Sequence, residues 1–412
     1  MSLIVQKFGG TSVADAAKIQ RAARRAVRAK LDGKRVVIVV SAMGGTTDDL
    51  IRLAREVAQE TDPPKREMDM LLSTGEQVSI ALMAMAIHAA GHDAISLTGG
   101  QLGLFTDSRH TQARIQQISR DRINRELDAG RIVIVAGFQG IDAAGEIYTL
   151  GRGASDTTAA ALAAVLGAEI CEIYTDVDGI YTTDPRVVPQ ARKMDAISYD
   201  EMLEMAATGA GVMHSRAIEF GKKFGVPIHV RSSLTDQPGT MIMERKEGLE
   251  DVAVRGATLK EDLATIVLTR VPNTPGIAAE VFAEVAKHHV LVDDIIQNFF
   301  EDGQVANIGF STNQHQAKEA LAVCQRMAEE RGFGGVELDE NVSKVSIVGI
   351  GMRTHAGVAA TMFKSLSDAR INIDNISTSE IVISVIVHKE DGPRALQVVH
   401  EAFGLDQAPA QS

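Results

Sequence analysis

Short apolar runs alternate with long helix-forming stretches through the first 230 residues of the chain. Residues 3–5, 35–40 and 132–136 are apolar and mostly β-branched, which predicts buried strands, and residues 171–175 predict a further strand. Residues 14–30 contain alanine, arginine and lysine without glycine or proline, which predicts a helix. Strands that are apolar on both faces are typical of a parallel sheet covered by helices. The alternation therefore predicts an α/β sandwich with a mostly parallel sheet.

Four loops rich in glycine and hydroxyl side chains lie between these elements, one of them after a further short strand predicted at residues 94–97. They are residues 7–13 (K-F-G-G-T-S-V), 41–47, 98–100 and 151–158. Taken alone, the first loop is equally a tight strand-to-helix turn with a surface lysine. Recurrence after successive strands favours a phosphate site, because ligands bind outside the carboxyl ends of parallel strands and helix N-termini favour anions. The pattern is neither a P-loop nor a dinucleotide fingerprint.

Composition excludes several classes of protein. At 412 residues the chain is expected to form two or three domains. A net charge of −12, 4% aromatic residues and the absence of tryptophan argue against nucleic-acid and anionic-membrane partners. Residues 78–90 are too short an apolar run to span a bilayer. The two cysteines, Cys171 and Cys324, form no disulfide framework and indicate a reducing, cytoplasmic setting. The histidines show no metal-ligand spacing, and residues 176–179 lack the EF-hand pattern.

The second half of the chain contains an internal repeat. It begins after a charged stretch at residues 244–248, which predicts a linker. Residues 274–282 align with residues 355–363, and residues 290–295 align with residues 371–376, an offset of 81. Each copy predicts a strand, a glycine loop, an amphipathic helix and further strands. This is an α+β unit of roughly sixty to eighty residues, the size of a small domain.

Several motifs together resemble those of the aspartate kinases. They are residues 7–13, 41–47, 74–76, 151–158 and 175–186, in family order. The resemblance implies the amino-acid kinase fold for residues 1–245, a three-layer αβα sandwich with a mostly parallel sheet. The repeat resembles a pair of ACT domains. It implies two ferredoxin-like α+β domains at residues 252–340 and 341–405, the first often nested within the second, and a frayed tail at residues 406–412.

The implied reaction is phosphoryl transfer from MgATP to the side-chain carboxylate of L-aspartate. The product is 4-phospho-L-aspartate, the first intermediate toward lysine, threonine and methionine. The acceptor is already an anion at pH 7, so the reaction needs positioning and positive charge more than a strong base. A lysine in the first loop and an arginine in the fourth supply such charge.

The resemblance also implies roles for individual residues. The catalytic residues are Lys7, Arg152 and Asp156, the last orienting Lys7 or the metal unless it is only a helix-start carboxylate. The ATP-binding residues are Lys7, Gly9, Gly10, Thr175, Asp176, Tyr181 and Arg186. The aspartate-binding residues are Ser41, Thr47, Glu76, Arg152 and Ser155, with Glu76 facing the ammonium and Arg152 the α-carboxylate. No metal ligands of the protein itself are implied. One departure is Gly211, which replaces a nucleotide-binding lysine; Lys222 or Lys223 would have to compensate.

In the repeat, the resemblance implies feedback inhibition by lysine, threonine or both. The implied effector contacts are Thr274, Gly276, Ile277, Ala278, Ala279, Asp293 and Gln297 in the first copy. In the second copy they are Asn372, Ile373, Ser377, Thr378, Ser379 and Glu380. The alternative is that the repeat serves only dimerisation. The family also implies a homo-oligomer, or an assembly with a shorter chain from an internal start near Met241 or Met243. Two other functions stay open: a kinase for glutamate or acetylglutamate, and a non-catalytic amino-acid-binding regulator.

Overall fold

The computed structural model describes residues 1–59, 61–151, 153–244, 253–300 and 303–407, with backbone only for 353–354. The chain divides into two compact units. The first unit comprises Met1–Tyr181, Lys193–Ala206 and Gly211–Leu249. The second comprises Thr182–Arg192, Ala207–Ala210 and Glu250–Ser412. Two short segments from the first half of the chain thus belong to the second unit. The predicted domain limits remain predictions.

The first unit contains twelve strands within the described residues. They are β1 (Leu3–Phe8), β2 (Arg35–Val40), β3 (Ala94–Leu97), β4 (Leu104–Thr106), β5 (Ile115–Ile118), β6 (Ile132–Ala136), β7 (Gln139–Ile141), β8 (Ile147–Thr149), β9 (Ile170–Thr175), β10 (Ala196–Ser198), β11 (Ile228–Ser232) and β12 (Thr240–Met243). The main sheet has the order β10-β12-β11-β9-β1-β2-β6-β3 and is parallel except between β11 and β12. A small second sheet has the order β5-β4-β7-β8.

Helices cover both faces of the main sheet. They are α1 (Ala16–Leu31), α2 (Thr46–Ala58), α3 (Lys65–Ala89), α4 (Gly99–Leu102), α5 (Asp121–Asp128), α6 (Ala154–Leu166), α7 (Tyr199–Ala207) and α8 (Ser215–Phe224). Alternate residues of β1 point to opposite faces. Ile4 and Phe8 join the core that includes Ile19 of α1 and Met83 of α3, whereas Lys7 reaches α6 on the other face. This is the predicted three-layer sandwich.

Helix α3 is long and apolar enough to cross a membrane by length and composition alone. Half of its most apolar window is buried within the protein. It packs against α1, α2, β3 and β6, and it carries the buried polar residues Asp69, Ser73, Glu76 and Ser79. These contacts are those of a core helix that contributes polar groups to its surroundings.

The second unit contains two four-stranded sheets with paired helices. Its strands are β13 (Gly256–Lys260), β14 (Ala264–Pro272), β15 (Ile295–Phe300), β16 (Val305–Thr312), β17 (Gly335–Asp339), β18 (Val342–Val348), β19 (Asn375–Thr378) and β20 (Val382–His388). Its helices are α9 (Ile277–Lys287), α10 (Ala317–Arg331), α11 (Val358–Asp368) and α12 (Gly392–Ala402). The sheets have the orders β13-β18-β20-β19 and β15-β16-β14-β17, and all pairings are antiparallel.

Strand β13 shows how the two sheets are connected. It precedes β14 in the chain, yet it pairs with β18 of the other sheet. The β14–β17 sheet is therefore inserted after the first strand of the β13-β18-β20-β19 sheet. Most of the predicted linker, and residues 408–412 of the predicted frayed tail, lie outside the described residues.

Candidate active site

The carboxyl ends of four neighbouring strands lie at one edge of the main sheet. Strands β9, β1, β2 and β6 are consecutive and parallel, so the loops that follow them are adjacent. Backbone hydrogen bonds continue the ladder into these loops. The N–H of Gly9 donates to the carbonyl of Tyr174 (3.2 Å), and the N–H of Ser41 donates to that of Phe8 (3.1 Å). The sheet thus brings the glycine loops together.

The first and second loops are in direct backbone contact. The N–H of Gly44 donates to the carbonyl of Gly10 at 3.0 Å. A Cβ added at Gly10 would lie 2.8 Å from the carbonyl oxygen of Ala42 and 3.0 Å from that of Gly44. Such distances leave no room for a side chain, because the atoms that would clash belong to the backbone. Gly10 is therefore required for the close approach of the two loops.

Lys7 and Asp156 form an ion pair at this edge. Lys7 lies near the end of β1, and Asp156 lies in the first turn of α6. The Nζ atom is 2.5 Å from Oδ1, and each side chain is about one-tenth exposed. No hydrogen bond of normal geometry joins the two atoms, so the contact between Lys7 and Asp156 is an ion pair without a directed hydrogen bond. The structure therefore brings together two of the predicted catalytic residues.

Glu76 of α3 is a buried carboxylate with one oxygen unused. Its Oε1 accepts a hydrogen bond from the N–H of Ala42 at 3.0 Å, whereas Oε2 has no hydrogen-bond partner among the described residues. Burial raises the pKa of Glu76 to about 7, and the bond from Ala42 opposes the shift. A buried polar atom without a partner calls for an explanation. The unused oxygen is suited to a cationic group of a ligand.

The N-terminus of α6 packs tightly against the loop after β6. A Cβ added at Gly137 would lie 2.7 Å from Oγ and 2.8 Å from Cβ of Ser155. Gly153, which caps the helix, has a φ of +70°, and a Cβ there would meet the ring of His214 at 2.5 Å. These two glycines determine how closely Ser155, which is predicted to bind the substrate aspartate, approaches the sheet. Gly153 belongs to the predicted loop at residues 151–158, whereas no sequence pattern indicates the contact at Gly137.

The other residues predicted to bind aspartate are Ser41, Thr47 and Arg152. Ser41 and Thr47 are both partly buried, Ser41 following β2 and Thr47 lying in the first turn of α2. Arg152, predicted to bind the α-carboxylate, lies outside the described residues. The structure therefore leaves the role of Arg152 as a prediction.

The predicted nucleotide residues do not all fall in one unit. Thr175 ends β9 and its hydroxyl donates to the exposed Asp176 at 3.1 Å. The hydroxyl of Tyr181 donates to Asp178 at 2.9 Å, and burial together with this bond raises the pKa of Tyr181 above its usual value. Arg186 belongs to the second unit, where its guanidinium pairs with Asp184 at 2.6 Å.

The two lysines proposed to replace the missing one are both exposed. Lys222 pairs with Asp200 at 2.5 Å, and the Nζ atom of Lys223 lies 5.4 Å from the ring centroid of Phe224. Gly211 is exposed as well. The structure therefore offers no support for compensation by either lysine.

Thr240 is a functional candidate that the sequence did not reveal. Its fully buried hydroxyl accepts from the N–H of Ile180 (2.8 Å) and donates to the carbonyl of Met194 (2.6 Å). A Cβ added at Gly179 would lie 2.6 Å from the same hydroxyl. Thr240 thus holds the loop that carries the predicted nucleotide residues. A threonine in a strand carries no signal of this role.

In the second unit, the predicted effector residues lie around corresponding positions of the two sheets. Gly276 and Gly357 cap α9 and α11 with φ values of +99° and +95°, so the sequence repeat is matched in backbone conformation. The other predicted residues lie before α9, in its first turn, on β15, and before, on and after β19. They are Thr274, Ile277, Ala278, Ala279, Gln297, Asn372, Ile373, Ser377, Thr378, Ser379 and Glu380. Strands β15 and β19 are both edge strands.

Asp293 is already engaged within the chain. Its carboxylate lies 2.7 Å from Nζ of Lys344 and 3.5 Å from that of Lys260. Although burial acts in the opposite direction, the two ammonium groups hold the pKa of Asp293 below its usual value. Lys344 is only 4% exposed and also pairs with Asp294 at 2.7 Å. Asp293 therefore joins the two sheets of the second unit.

Comparison with known proteins agrees with this geometry. The model of the amino acid kinase family matches residues 2–232, and that of an ACT domain matches residues 345–403. An aspartokinase of Mycolicibacterium smegmatis is 48% identical over 410 residues, covering 98% of this chain and 97% of that protein. The chain belongs to the aspartokinase family. It is therefore a kinase that uses a nucleotide.

Two solved aspartokinase structures share its architecture. E. coli aspartokinase III in complex with aspartate and ADP (R-state) has a TM-score of 0.83 at 26% identity. The same enzyme in complex with lysine and aspartate (T-state) has a TM-score of 0.76 at 27% identity. Each match covers 97% of this chain and 99% of the other. The predicted amino-acid kinase fold followed by ACT domains is confirmed.

Proposed function

We propose that this aspartokinase transfers the γ-phosphoryl group of ATP to the side-chain carboxylate of L-aspartate at the edge formed by β9, β1, β2 and β6. The observation that carries this assignment is the meeting of a buried lysine–aspartate pair with the glycine loops, on a sheet whose helix α3 presents a half-satisfied carboxylate. The arrangement provides cationic and anionic groups for a zwitterionic acceptor and an anionic donor.

The chemical step needs no base. A carboxylate oxygen of aspartate attacks the γ-phosphorus, the bond from that phosphorus to the β–γ bridging oxygen breaks, and ADP leaves with the electron pair. The acceptor carboxyl has a pKa near 3.9 in solution, so it carries no proton to remove at pH 7. The barrier therefore lies in bringing two anions together, and the protein lowers it by positioning and by positive charge.

Lys7 supplies that charge. Without substrate its ammonium is held beside Asp156, which keeps a buried cation paired. When phosphates enter the loop of Gly9 and Gly10, the ammonium can contact the transferring group while Asp156 holds its orientation. A Cβ at Gly9 would lie 3.4 Å from Nζ of Lys7, so the glycine keeps the space beside the ammonium open.

Aspartate binds between the second and fourth loops. The unused oxygen of Glu76 accepts the ammonium of the substrate, and the carboxylate must be ionised for this purpose. Arg152 binds the α-carboxylate through its planar guanidinium, in line with the family resemblance. Ser41, Thr47 and Ser155 complete the pocket with hydroxyl donors.

The nucleotide is held at the neighbouring loops. Thr175, Asp176 and Tyr181 contact its nucleoside part, whereas the nucleotide contact of Arg186 stays a prediction from the family resemblance. Among the described residues, no group of three or more His, Cys, Asp or Glu side chains forms a metal site. Mg²⁺ needs no such group, because it is usually held by one or two carboxylates together with substrate phosphates and water. Asp156 would help to hold the ion, which would further neutralise the phosphate charge.

The second unit senses end products of the pathway. Lysine, threonine or both bind at the glycine loops and edge strands of the ACT domains. This proposal is supported by the matched loops at Gly276 and Gly357, and by the fold shared with a lysine-bound T-state aspartokinase. An effector inhibits only if it binds an inactive arrangement more tightly than the active one.

The proposed assembly is a homo-oligomer, or a complex with a shorter chain translated from an internal start. The family resemblance implies that effectors bind where two ACT domains meet, and the edge strands β15 and β19 are suited to pairing between domains. A cytoplasmic location fits the two buried, unpaired cysteines.

Hydroxamate formation tests the proposed reaction. The acyl phosphate reacts with hydroxylamine, so aspartate and MgATP should give aspartyl hydroxamate, whereas glutamate or acetylglutamate should give none. Absence of product with aspartate would refute the proposal. Product with glutamate or acetylglutamate instead would identify another acid as the acceptor, and absence with every acid would favour a non-catalytic regulator.

A further inference from the structure

Asp69 is a fully buried carboxylate that lies outside the predicted site. It occupies the second turn of α3, and both of its oxygens accept hydrogen bonds. Oδ1 accepts from the hydroxyl of Thr149 (2.6 Å) and the N–H of Thr111 (3.1 Å). Oδ2 lies 2.6 Å from Nδ1 of His110 and 3.2 Å from the N–H of Thr111. One carboxylate therefore joins a helix, a loop and the end of a strand.

The groups that Asp69 holds are connected to the fourth loop. Thr149 ends β8, two residues before Gly151, and its carbonyl accepts from the N–H of Ala113 at 3.0 Å. A Cβ added at Gly151, whose φ is +87°, would lie 3.4 Å from the carbonyl oxygen of Thr111. The loop that contains His110 and Thr111 thus lies against the start of the fourth loop.

Further contacts fix the same segment from its other sides. The ring of His110 stacks on Tyr148 with centroids 4.4 Å apart. The guanidinium of Arg216 donates to the carbonyl of Leu150 at 2.9 Å. Thr111 has a φ of +67°, which is unfavourable for a threonine, and its N–H is held by Asp69. The conformation of Thr111 is therefore one that the surrounding contacts must stabilise.

Helix α3 connects this anchor to the substrate carboxylate. Glu76 follows Asp69 by seven residues, about two helical turns, so both lie on one face of the helix. Glu76 is hydrogen-bonded to Ala42 of the second loop, and Asp69 is hydrogen-bonded to Thr149, which lies just before the fourth loop. The two predicted walls of the aspartate pocket are thus attached to one rigid element.

We propose that Asp69 is a positioning residue for aspartate binding, which sets the fourth loop at the correct distance from Glu76. The inference rests on the proposed function, because it assigns the two loops to the aspartate pocket. Asparagine replaces the carboxylate only in part. Its single oxygen can accept from Thr149 and Thr111, but its NH₂ group would face the N–H of Thr111, and it would contact His110 without a negative charge. Asp69 acts on the substrate only through the loop.

The test is to measure KM for aspartate and KM for ATP separately in Asp69→Asn. We expect KM for aspartate to rise at least tenfold, while KM for ATP changes less than twofold. The matched control is Glu67→Gln, the same carboxylate-to-amide change two residues away in the first turn of α3. The side chain of Glu67 is 61% exposed and pairs with Arg66 at 3.0 Å. We expect both KM values of this control within twofold of wild type.

A second variant guards against loss of folding. Thr149→Val removes one of the hydrogen bonds to Asp69 while nearly keeping the side-chain volume, and it should raise KM for aspartate in the same selective way. An unchanged KM for aspartate in Asp69→Asn would overturn the inference. So would equal increases of KM for aspartate and KM for ATP that also occur in the Glu67→Gln control. If Asp69→Asn does not fold, an unchanged KM for aspartate in Thr149→Val would overturn it. A wild-type enzyme without aspartate activity would instead refute the proposed function.

Discussion

Replacing Glu76 by glutamine should change stability and substrate affinity in opposite directions. Burial raises the pKa of Glu76 from 4.5 to about 7. That difference corresponds to about 3 kcal/mol, because each pKa unit equals about 1.4 kcal/mol. Glutamine retains an oxygen to accept from Ala42 and carries no charge. The variant therefore keeps the shape of the site and removes the cost of a buried negative charge.

The sign of the effect follows from proton binding. Below pH 4.5 the carboxyl is protonated in both the folded and the unfolded protein. Between pH 4.5 and 7 the folded state keeps a proton that the unfolded state has lost, so the free energy of unfolding falls as pH rises. Glu76→Gln lacks this titration. From pH 4 to pH 8 we expect its free energy of unfolding to gain about 3 kcal/mol relative to wild type.

Tyrosine fluorescence during urea unfolding measures this difference for the relevant unit. The chain has no tryptophan, and its four tyrosines all lie in the first unit: Tyr148, Tyr174, Tyr181 and Tyr199. Glu56→Gln is the matched control, because Glu56 is an exposed residue of α2. Because the control and the wild type both keep Glu76, the difference between their free energies of unfolding should not change as Glu76 ionises. If the Glu76→Gln and wild-type stability curves run parallel from pH 4 to pH 8, the argument from burial is wrong.

Affinity for aspartate should follow the ionised fraction of Glu76. With a pKa of about 7, that fraction rises from about one-tenth at pH 6 to about nine-tenths at pH 8. KM for aspartate should therefore fall about tenfold over this interval in wild type, since only the ionised form binds the ammonium. Glu76→Gln should show a high KM that changes little with pH. A wild-type KM that is constant from pH 6 to pH 8 would contradict the role of Glu76.

Three further predictions concern the other parts of the enzyme. Lys7→Ala should lower kcat about 10²–10³-fold in the hydroxamate assay with an unchanged circular dichroism spectrum, because it removes the cation beside the transferring group; near-normal turnover would exclude that role. Gly137→Ala should lower stability to urea by about 1–3 kcal/mol and weaken aspartate binding, because its methyl group would overlap Ser155; an unchanged midpoint would show that α6 moves freely. Thr378→Ile and Ser379→Phe should raise the concentrations of lysine and threonine needed for inhibition without altering uninhibited activity, and unchanged inhibition in both would refute the effector site.

Local sequence patterns were sufficient to predict the main sheet and its glycine loops. Strands β2 and β6 are almost entirely apolar, and β1 begins with an apolar run. Each is followed by turn residues, so their type and direction are encoded within a few positions. Lys7 brings a positive charge to the first glycine loop, and its catalytic role was implied by the resemblance to the aspartate kinases. The parallel sheet then places such ends side by side. Nothing further in the fold was needed to expect a phosphate site.

The contacts that position the site depend on residues far apart in the chain, and the sequence did not reveal them. Asp69 meets Thr149 across 80 positions, and Gly137 meets Ser155 only after β6 and α6 have packed. No local pattern distinguishes Asp69 from an ordinary helix-surface carboxylate. The division into units also depends on residues far apart in the chain. Thr182–Arg192 belongs to the second unit because of contacts such as that of Thr182 with His400 (3.0 Å).

The two carboxylates of the site illustrate different solutions to the burial of charge. Asp156 has the ammonium of Lys7 2.5 Å from one of its oxygens, so a cation of the protein itself faces this carboxylate. Glu76 has only a backbone N–H on one oxygen, and its ionised form is therefore unstable until a cation arrives. The ammonium of aspartate is such a cation, and a dicarboxylic acid without an amino group offers none. The unfavourable burial of Glu76 in the free enzyme is thus the physical reason why the pocket should select an amino acid over a simple dicarboxylate.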